Sequence, residues 1–337
     1  MSDIYNIDNY KEKQEEKQEE KQEEKQEEKQ EENEIKIEET EETMKKEETE
    51  ETEEETEETE EETEETEEET DTSIIQKKIT KDQKYKYTLQ IDSKDPKDHV
   101  KLWSFDQLKK IPKSIDLSNN MIPVFDQESI GSCTGNAISA CYAYQYQSEH
   151  GLTYIPSRLF IYYNERFLSN RIELDSGSTI KDGIRAINKY GTCSEDQWPY
   201  IISKFAERPS DYIYSISLNN RALSFSRISA DLMNFKIALS NKRPIIFGFL
   251  VPESFEEITE NGFMSWSPKD ASLGGHAVLA CGYDDNLENP RTGSVGHLIV
   301  RNSWSDKWGF KGYFYMPYSF INIVGHISDC WIITLVT

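Results

Sequence analysis

A thiol becomes a useful nucleophile when a base stands beside it and a third group orients that base. The chain offers Cys133, Cys141, Cys193, Cys281 and Cys330 as thiols, and His99, His150, His276, His297 and His326 as bases. Cys133 follows the small pair Gly131-Ser132 and opens a run in which Ala137, Ile138, Ala140, Cys141 and Ala143 recur at helical spacing. A cysteine at a helix N-terminus faces unpaired backbone N–H groups and the positive end of the helix dipole. Both favour the thiolate, which is the reactive form. His276 follows Gly274-Gly275 and starts the apolar strand Ala277–Ala280, so an imidazole sits at a strand end with an uncrowded approach. Asn302 ends a second apolar strand, Leu298–Val300. Its side-chain oxygen can accept from one imidazole nitrogen and leave the other to the thiol. Trp304 can cover that bond and exclude water, which strengthens it. Taken singly, a lone cysteine is more often buried and inert and a strand-edge histidine more often structural, while Trp304 and Trp308 are as often ordinary core as not. Their combination is what points to nucleophilic catalysis.

The elements that must position these groups fall into two halves. The helix from Cys133 is expected to run to about Glu149 and stop near Gly151. A second apolar segment follows Pro156. Asp175-Ser176-Gly177-Ser178-Thr179 reads as a turn with an N-cap for a helix near Ile180–Tyr190, and another helix is expected near Ala230–Ser240. Residues 205–228 read as irregular. From Pro244 onward the pattern is strand-like: Ile245–Val251, His276–Tyr283, Leu298–Asn302, Gly312–Met316 and Trp331–Val336, with a polar loop at 284–297. Helices first and strands second predict an α+β chain with a helical lobe and a β lobe.

The formal charge of −26 is uneven. Residues 1–72 carry 36 acidic and nine basic side chains, whereas the rest carries 28 and 29. Lys-Gln-Glu-Glu repeats over 11–32, then Glu-Glu-Thr and Glu-Glu-Glu-Thr repeats over 38–70, stack like charges at i,i+4 and have no apolar stripe. Such a composition cannot bury enough surface to offset chain entropy, so residues 1–73 are expected to be a disordered acidic tail. It suits a tether or a docking element for a partner. Residues 74–110 regain apolar and aromatic side chains. Tyr85, Tyr87, Leu89 and Ile91 alternate as a short strand would, in an extension that reads as packing segment or propeptide. The part beyond the tail, about 265 residues, is long enough for one large domain or two lobes, with 111–337 as its compact domain.

Three stretches together resemble the papain-like cysteine peptidases. Asn302-Ser303-Trp304, Trp308-Gly309 and Gly312-Tyr313 match the family's asparagine motif at its usual spacing. Gln127 stands six residues before Cys133, as the family's oxyanion-hole glutamine does. Ile111-Pro112 with Asp116-Leu117 resembles the start of a mature family domain, and Gly191-Thr192-Cys193-Ser194-Glu195 with Trp198-Pro199-Tyr200 the segment after the glycine-rich wall. The resemblance spans about 111–335. It implies the papain-like two-lobe fold: a helical left lobe, an antiparallel β-barrel-like right lobe and an active-site cleft between them. It also implies Cys133 as nucleophile, His276 as general base and acid, Asn302 as orienter, and Gln127 with the Cys133 N–H as oxyanion donors. An imidazolium–thiolate pair at rest would follow. Gly177, Ser178, Gly274, Gly275, Ala277 and Trp304 would line the substrate groove.

Departures from the family pattern bear mainly on substrate preference. Ile130 replaces a disulfide cysteine, Thr134 the tryptophan after the nucleophile, and Gly275 the aspartate before the histidine; the glycine wall is reduced to Gly177-Ser178. Asn302 lies 169 residues after Cys133, beyond the approximate 130–150 typical of the family, with the polar loop at 284–297 as the source of the excess. The expected activity is peptide-bond hydrolysis by an endopeptidase acting on a peptide or protein substrate. A catalytically silent binding or structural protein of the same fold, and thiol acyl transfer, are the alternatives. No cofactor or metal is needed, and no nucleic-acid stripe or membrane span is visible. A monomer is expected, reduced in an intracellular compartment or packaged in a particle, because no secretion signal is seen.

Overall fold

The computed structural model describes residues 84–337 apart from 94, 97, 105, 106 and 108–110. The expected acidic tail over 1–73, and part of the 74–110 extension, lie outside the described residues. In chain order the elements are β1 (Ser114–Asp116), α1 (Cys133–His150), α2 (Arg158–Leu168), α3 (Ile180–Lys189), α4 (Asp211–Ser217), β2 (Ala222–Arg227), α5 (Leu232–Ser240), β3 (Ile245–Pro252), β4 (Ser272–Glu288), β5 (Val295–Arg301), β6 (Tyr313–Pro317), α6 (Tyr318–Ile321) and β7 (Ile327–Val336).

The helices begin where short polar side chains can take orphan amides. Ser157, Thr179, Ser210 and Asp231 accept from Phe160, Asp182, Ile213 and Asn234 respectively. Helix α1 is buried from Cys133 to Gln145 and ends at Gly151, whose φ of 68° suits a residue without a Cβ. Helices α1 to α3 form one lobe. The other is a seven-stranded antiparallel sheet of order β2-β7-β3-β4-β5-β6, with β1 added to β4. The fold is α+β with two lobes, as expected.

Alternation along β3 and β4 builds two cores on opposite faces of the sheet. Ile246, Ala277 and Leu279 pack with Cys133, Ile138 and Cys141 of α1. Phe247, Phe249, Val278 and Ala280 pack with Trp304, Phe314 and Phe320 on the other side. This puts His276 on the face opposite Ala277, so the pair straddles the edge where the lobes meet.

Three local expectations change. Residues 205–228 are not irregular throughout: Ser210 caps α4, and β2 pairs with β7 as the sheet edge. The polar stretch 284–297 is largely not a loop. β4 continues to Glu288 and β5 starts at Val295, because Asn289 closes a tight turn through its side chain to Arg291 N (2.9 Å) and its backbone to Ser294 and Gly293 (both 2.8 Å). Polar side chains suit this ribbon, which projects beyond the core. Residues 85–91 are extended but join no named strand; their backbone forms isolated bridges at Thr88 and Gln90.

Candidate active site

Cys133 is the first residue of α1 and is fully buried. Its sulfur faces the backbone N–H groups of Ala277, Thr134 and Cys133 itself. The register of β4 on β5 pairs Leu279 with Arg301, which brings His276 diagonally across from Asn302. The His276 Nε2–Asn302 Oδ1 distance is 2.8 Å. Asn302 Oδ1 also accepts from the Ser303 N–H (2.8 Å), so the amide orientation is fixed and the imidazole must donate from Nε2. Nδ1 is left without a hydrogen-bond partner. Trp304 lies over the imidazole at 5.3 Å, with 30° between planes, and Phe249 meets it edge-on. The long ribbon at 284–297 leaves this geometry alone, since it lengthens β4 and β5 at their far ends.

Gln127 is buried beside this cluster. Its Oε1 accepts from Ser303 Oγ at 2.6 Å, and its Nε2 donates to Ile130 O at 3.2 Å. Backbone bonds from Gln127 N to Ser303 O (2.8 Å) and from Ser305 N to Phe125 O (3.1 Å) tie the loop before α1 to the loop after β5. Cys133, His276, Asn302 and Gln127 are therefore gathered at one place.

The site is covered. Residues 84–92 form a strap across it. Tyr85 stacks on Trp304 at 4.4 Å, and Tyr87 meets His276 edge-on at 6.1 Å. Leu89 N donates to Gly275 O (3.1 Å), and Gln90 N to Ser178 O (3.0 Å). Leu89 packs on the cluster that holds Ala277. A side chain at Gly177 (φ 67°) would collide with the Thr88 backbone, and one at Gly274 (φ 125°) would reach within 2.6 Å of Tyr87 O. Gly177, Ser178, Gly274, Gly275, Ala277 and Trp304 thus all border the strap. Gly248 also borders it and was missed: a Cβ there would lie 2.5 Å from Leu89 Cδ2. An interior strand glycine is a signal of close approach.

The strap is pinned on both sides of Cys133. Upstream, Lys84 meets Asp126 (2.9 Å) and Lys86 meets Asp175 (2.6 Å). Downstream, the buried Asp92 carboxylate accepts from Trp331 Nε1 (2.8 Å), Lys181 N (2.9 Å) and Arg227 (3.1 Å). Lys181 also pairs with Asp98 at 2.8 Å.

Burial dominates the electrostatics. It pushes the Cys133 thiol up to about 12, against the stabilising backbone N–H groups. It pushes His276 down to about 4, against the Asn302 bond. Both shifts favour the neutral forms while the site is covered, because separated charges kept from water are poorly solvated, and they oppose the expected resting ion pair in this closed state. Among the described residues all five cysteines are free, no group of His, Cys, Asp and Glu is set to hold a metal ion, and no helix is long and apolar enough to cross a membrane.

Comparison with known proteins places the chain among relatives of the same fold. The chain is 42% identical over 225 residues to an uncharacterized peptidase C1-like protein of Acanthamoeba polyphaga mimivirus, covering 63% of this chain and 70% of that one. It is 29% identical over 218 residues to pro-cathepsin H of Bos taurus, covering 60% and 59%. Among solved structures, xylellain, a cysteine protease from Xylella fastidiosa, superposes with a TM-score of 0.69 at 33% identity, over 74% of this chain and 96% of that one. The model of the papain family cysteine proteases matches residues 111–330. A helix that opens on Cys133 and packs on an antiparallel sheet, with this match over most of the chain, makes the protein a member of the papain family of cysteine proteases.

Proposed function

We propose that the protein is a latent endopeptidase that cleaves peptide bonds through Cys133, His276 and Asn302, with Gln127 in the oxyanion site. The observation that carries this reading is the strap. An extended peptide lies over the thiol, its backbone bonded to Gly275 on one wall and Ser178 on the other, and it continues past the site in both directions. A trough with chain on both sides of the nucleophile suits internal cleavage. The strap itself keeps substrate and water out.

Once the strap leaves, water returns and proton transfer from Cys133 to His276 Nδ1 is no longer opposed by burial. The thiolate adds to the scissile carbonyl, and the oxyanion is taken by Gln127 Nε2 and the Cys133 N–H. His276 then protonates the leaving amine, and a water it activates hydrolyses the thioester. Asn302 keeps Nε2 occupied throughout, so Nδ1 alone handles the moving proton.

The test uses full-length protein carrying Leu89→Asp to open the groove, with an internally quenched peptide library and product sequencing. Internal cleavage that vanishes in Leu89→Asp/Cys133→Ala is expected. Equal hydrolysis without the thiol would overturn the assignment. Amide-capped rather than free-acid products in added amine would move the reading to acyl transfer.

A further inference from the structure

The Trp198-Pro199-Tyr200 and Glu195 motif has so far found no role. In the fold it converges on the loop that carries the oxyanion donors. Tyr200 Oη lies 2.7 Å from the Gln127 backbone carbonyl and 2.5 Å from Ser132 Oγ. A carbonyl can only accept, so the phenol donates to Gln127 O and Ser132 donates to the phenol. One hydroxyl thus clamps both ends of the six-residue loop: the residue whose side chain supplies one proposed donor, and the residue just before the Cys133 N–H.

The ring is itself held. The Arg158 guanidinium lies between two aromatic faces, 3.9 Å from the Tyr200 ring centre and 4.4 Å from that of Phe125. Its Nη2 pairs with Glu195 Oε1 at 2.8 Å, and Glu195 Oε2 accepts the Arg158 N–H at 3.1 Å. Arg158 Nη1 also reaches Asp126 O (3.1 Å) and Asn136 Oδ1 (3.2 Å), while Asn136 Nδ2 donates to Ser132 O (3.0 Å) and Oγ (3.1 Å). The Arg158 and Asn136 bonds thus reach Asp126 and Ser132, on either end of the loop. Ser132 and Gln127 are fully buried, so water cannot substitute for the clamp.

We propose that Tyr200, held in place by the Arg158–Glu195 pair, is a positioning residue that sets the spacing of the two oxyanion donors. The inference rests on the oxyanion roles given above for Gln127 and the Cys133 N–H. An unclamped loop lets the donors drift, and displacements near 1 Å cost on the order of 100-fold in rate.

The experiment is Tyr200→Phe in the full-length chain carrying Leu89→Asp. Phenylalanine keeps the ring and its cation contact but loses both hydrogen bonds. Three quantities are read: kcat and KM on a fluorogenic peptide, and the rate at which iodoacetamide alkylates Cys133, a displacement that forms no oxyanion. The expected result is a kcat lower by about 10- to 100-fold, KM within about twofold, and an unchanged alkylation rate. Glu195→Gln, which keeps hydrogen bonds but loses the charge pair, should show a smaller loss of the same kind. Hydrolysis within twofold of the parent would overturn the proposal, as would a loss carried by KM or an alkylation rate falling in step with kcat. A parent chain with normal alkylation but no hydrolysis would instead sink the peptidase reading, and this inference with it.

Discussion

Tyr85 lies flat on Trp304, with ring centres 4.4 Å apart and planes within 5°. Trp304 in turn covers the His276–Asn302 bond. The strap thus anchors on the same indole that shields the proposed base.

If the strap is what buries the thiol, loosening it should expose Cys133. Leu89 packs against Gly248 and the core, and a carboxylate there would cost several kcal/mol to desolvate. Leu89→Asp in the full-length chain is expected to raise iodoacetamide alkylation of Cys133, followed by peptide mapping, at least about tenfold. The other four buried cysteines should stay unlabelled. Equal rates in parent and variant would mean the strap does not gate the site.

Asn302→Ala removes the acceptor for His276 Nε2 and frees the imidazole to turn. In the opened chain its kcat is expected to fall by about 10²–10⁴, the range supplied by positioned acid–base catalysis. A circular dichroism spectrum should be unchanged. Full activity would remove Asn302 from the mechanism.

Asp92 gives the closed strap a pH dependence of definite sign. Burial and then the charge of Asp329 raise its pKa from 3.8 to about 6, against the Lys181 N–H, Trp331 and Arg227. A carboxyl with a raised pKa in the closed state favours closure fully below pH 3.8, and that contribution is lost as pH rises through 6. Acidifying from pH 7 to 5 should therefore tighten closure through this group. The activity ratio of parent to Asp92→Asn is expected to fall by up to about tenfold over that range. A rising ratio would show that acid opens the strap here.

Glu165 is buried beneath the start of α1, with one oxygen on the Thr134 hydroxyl and the other without a partner. Burial raises its pKa from 4.5 to about 8. Its neutral form therefore stabilises the fold below pH 4.5, and the benefit is lost as pH rises through 8. Glu165→Gln should melt several degrees above the parent at pH 8 and match it near pH 4.5, as read by calorimetry. A pH-independent difference would contradict this.

Much of the site was legible because its chemistry lies in side chains at marked positions. Cys133 follows a small-residue turn, His276 follows two glycines, and Asn302 ends an apolar strand; the fold gathers all three with Gln127. The caps Thr179 and Gly151 announced their helix ends. The strap was legible as the alternating Tyr85, Tyr87, Leu89 and Ile91 in an extension read as packing segment or propeptide, but its register over the site was not. Its placement depends on the backbone N–H groups of Leu89 and Gln90, which leave no trace in residue type. Gly248 hid for the converse reason, because what matters there is a missing side chain. The ribbon over 284–297 read as a loop because strands that project past a core need no apolar face.

Attachment on both flanks of the nucleophile has a kinetic consequence. A segment tied by Lys84 and Lys86 before the thiol and by Asp92 and Asp98 after it competes with substrate as a tethered ligand, at an effective concentration in the millimolar range. Diluting the intact protein cannot weaken such an occupant. A cut upstream of Lys84 leaves the tether intact, whereas a cut between Asp98 and Ser114 turns the strap into a noncovalent ligand held by its ion pairs, backbone bonds and packing alone. Onset of activity should then show a lag, and latency would become sensitive to dilution at that moment.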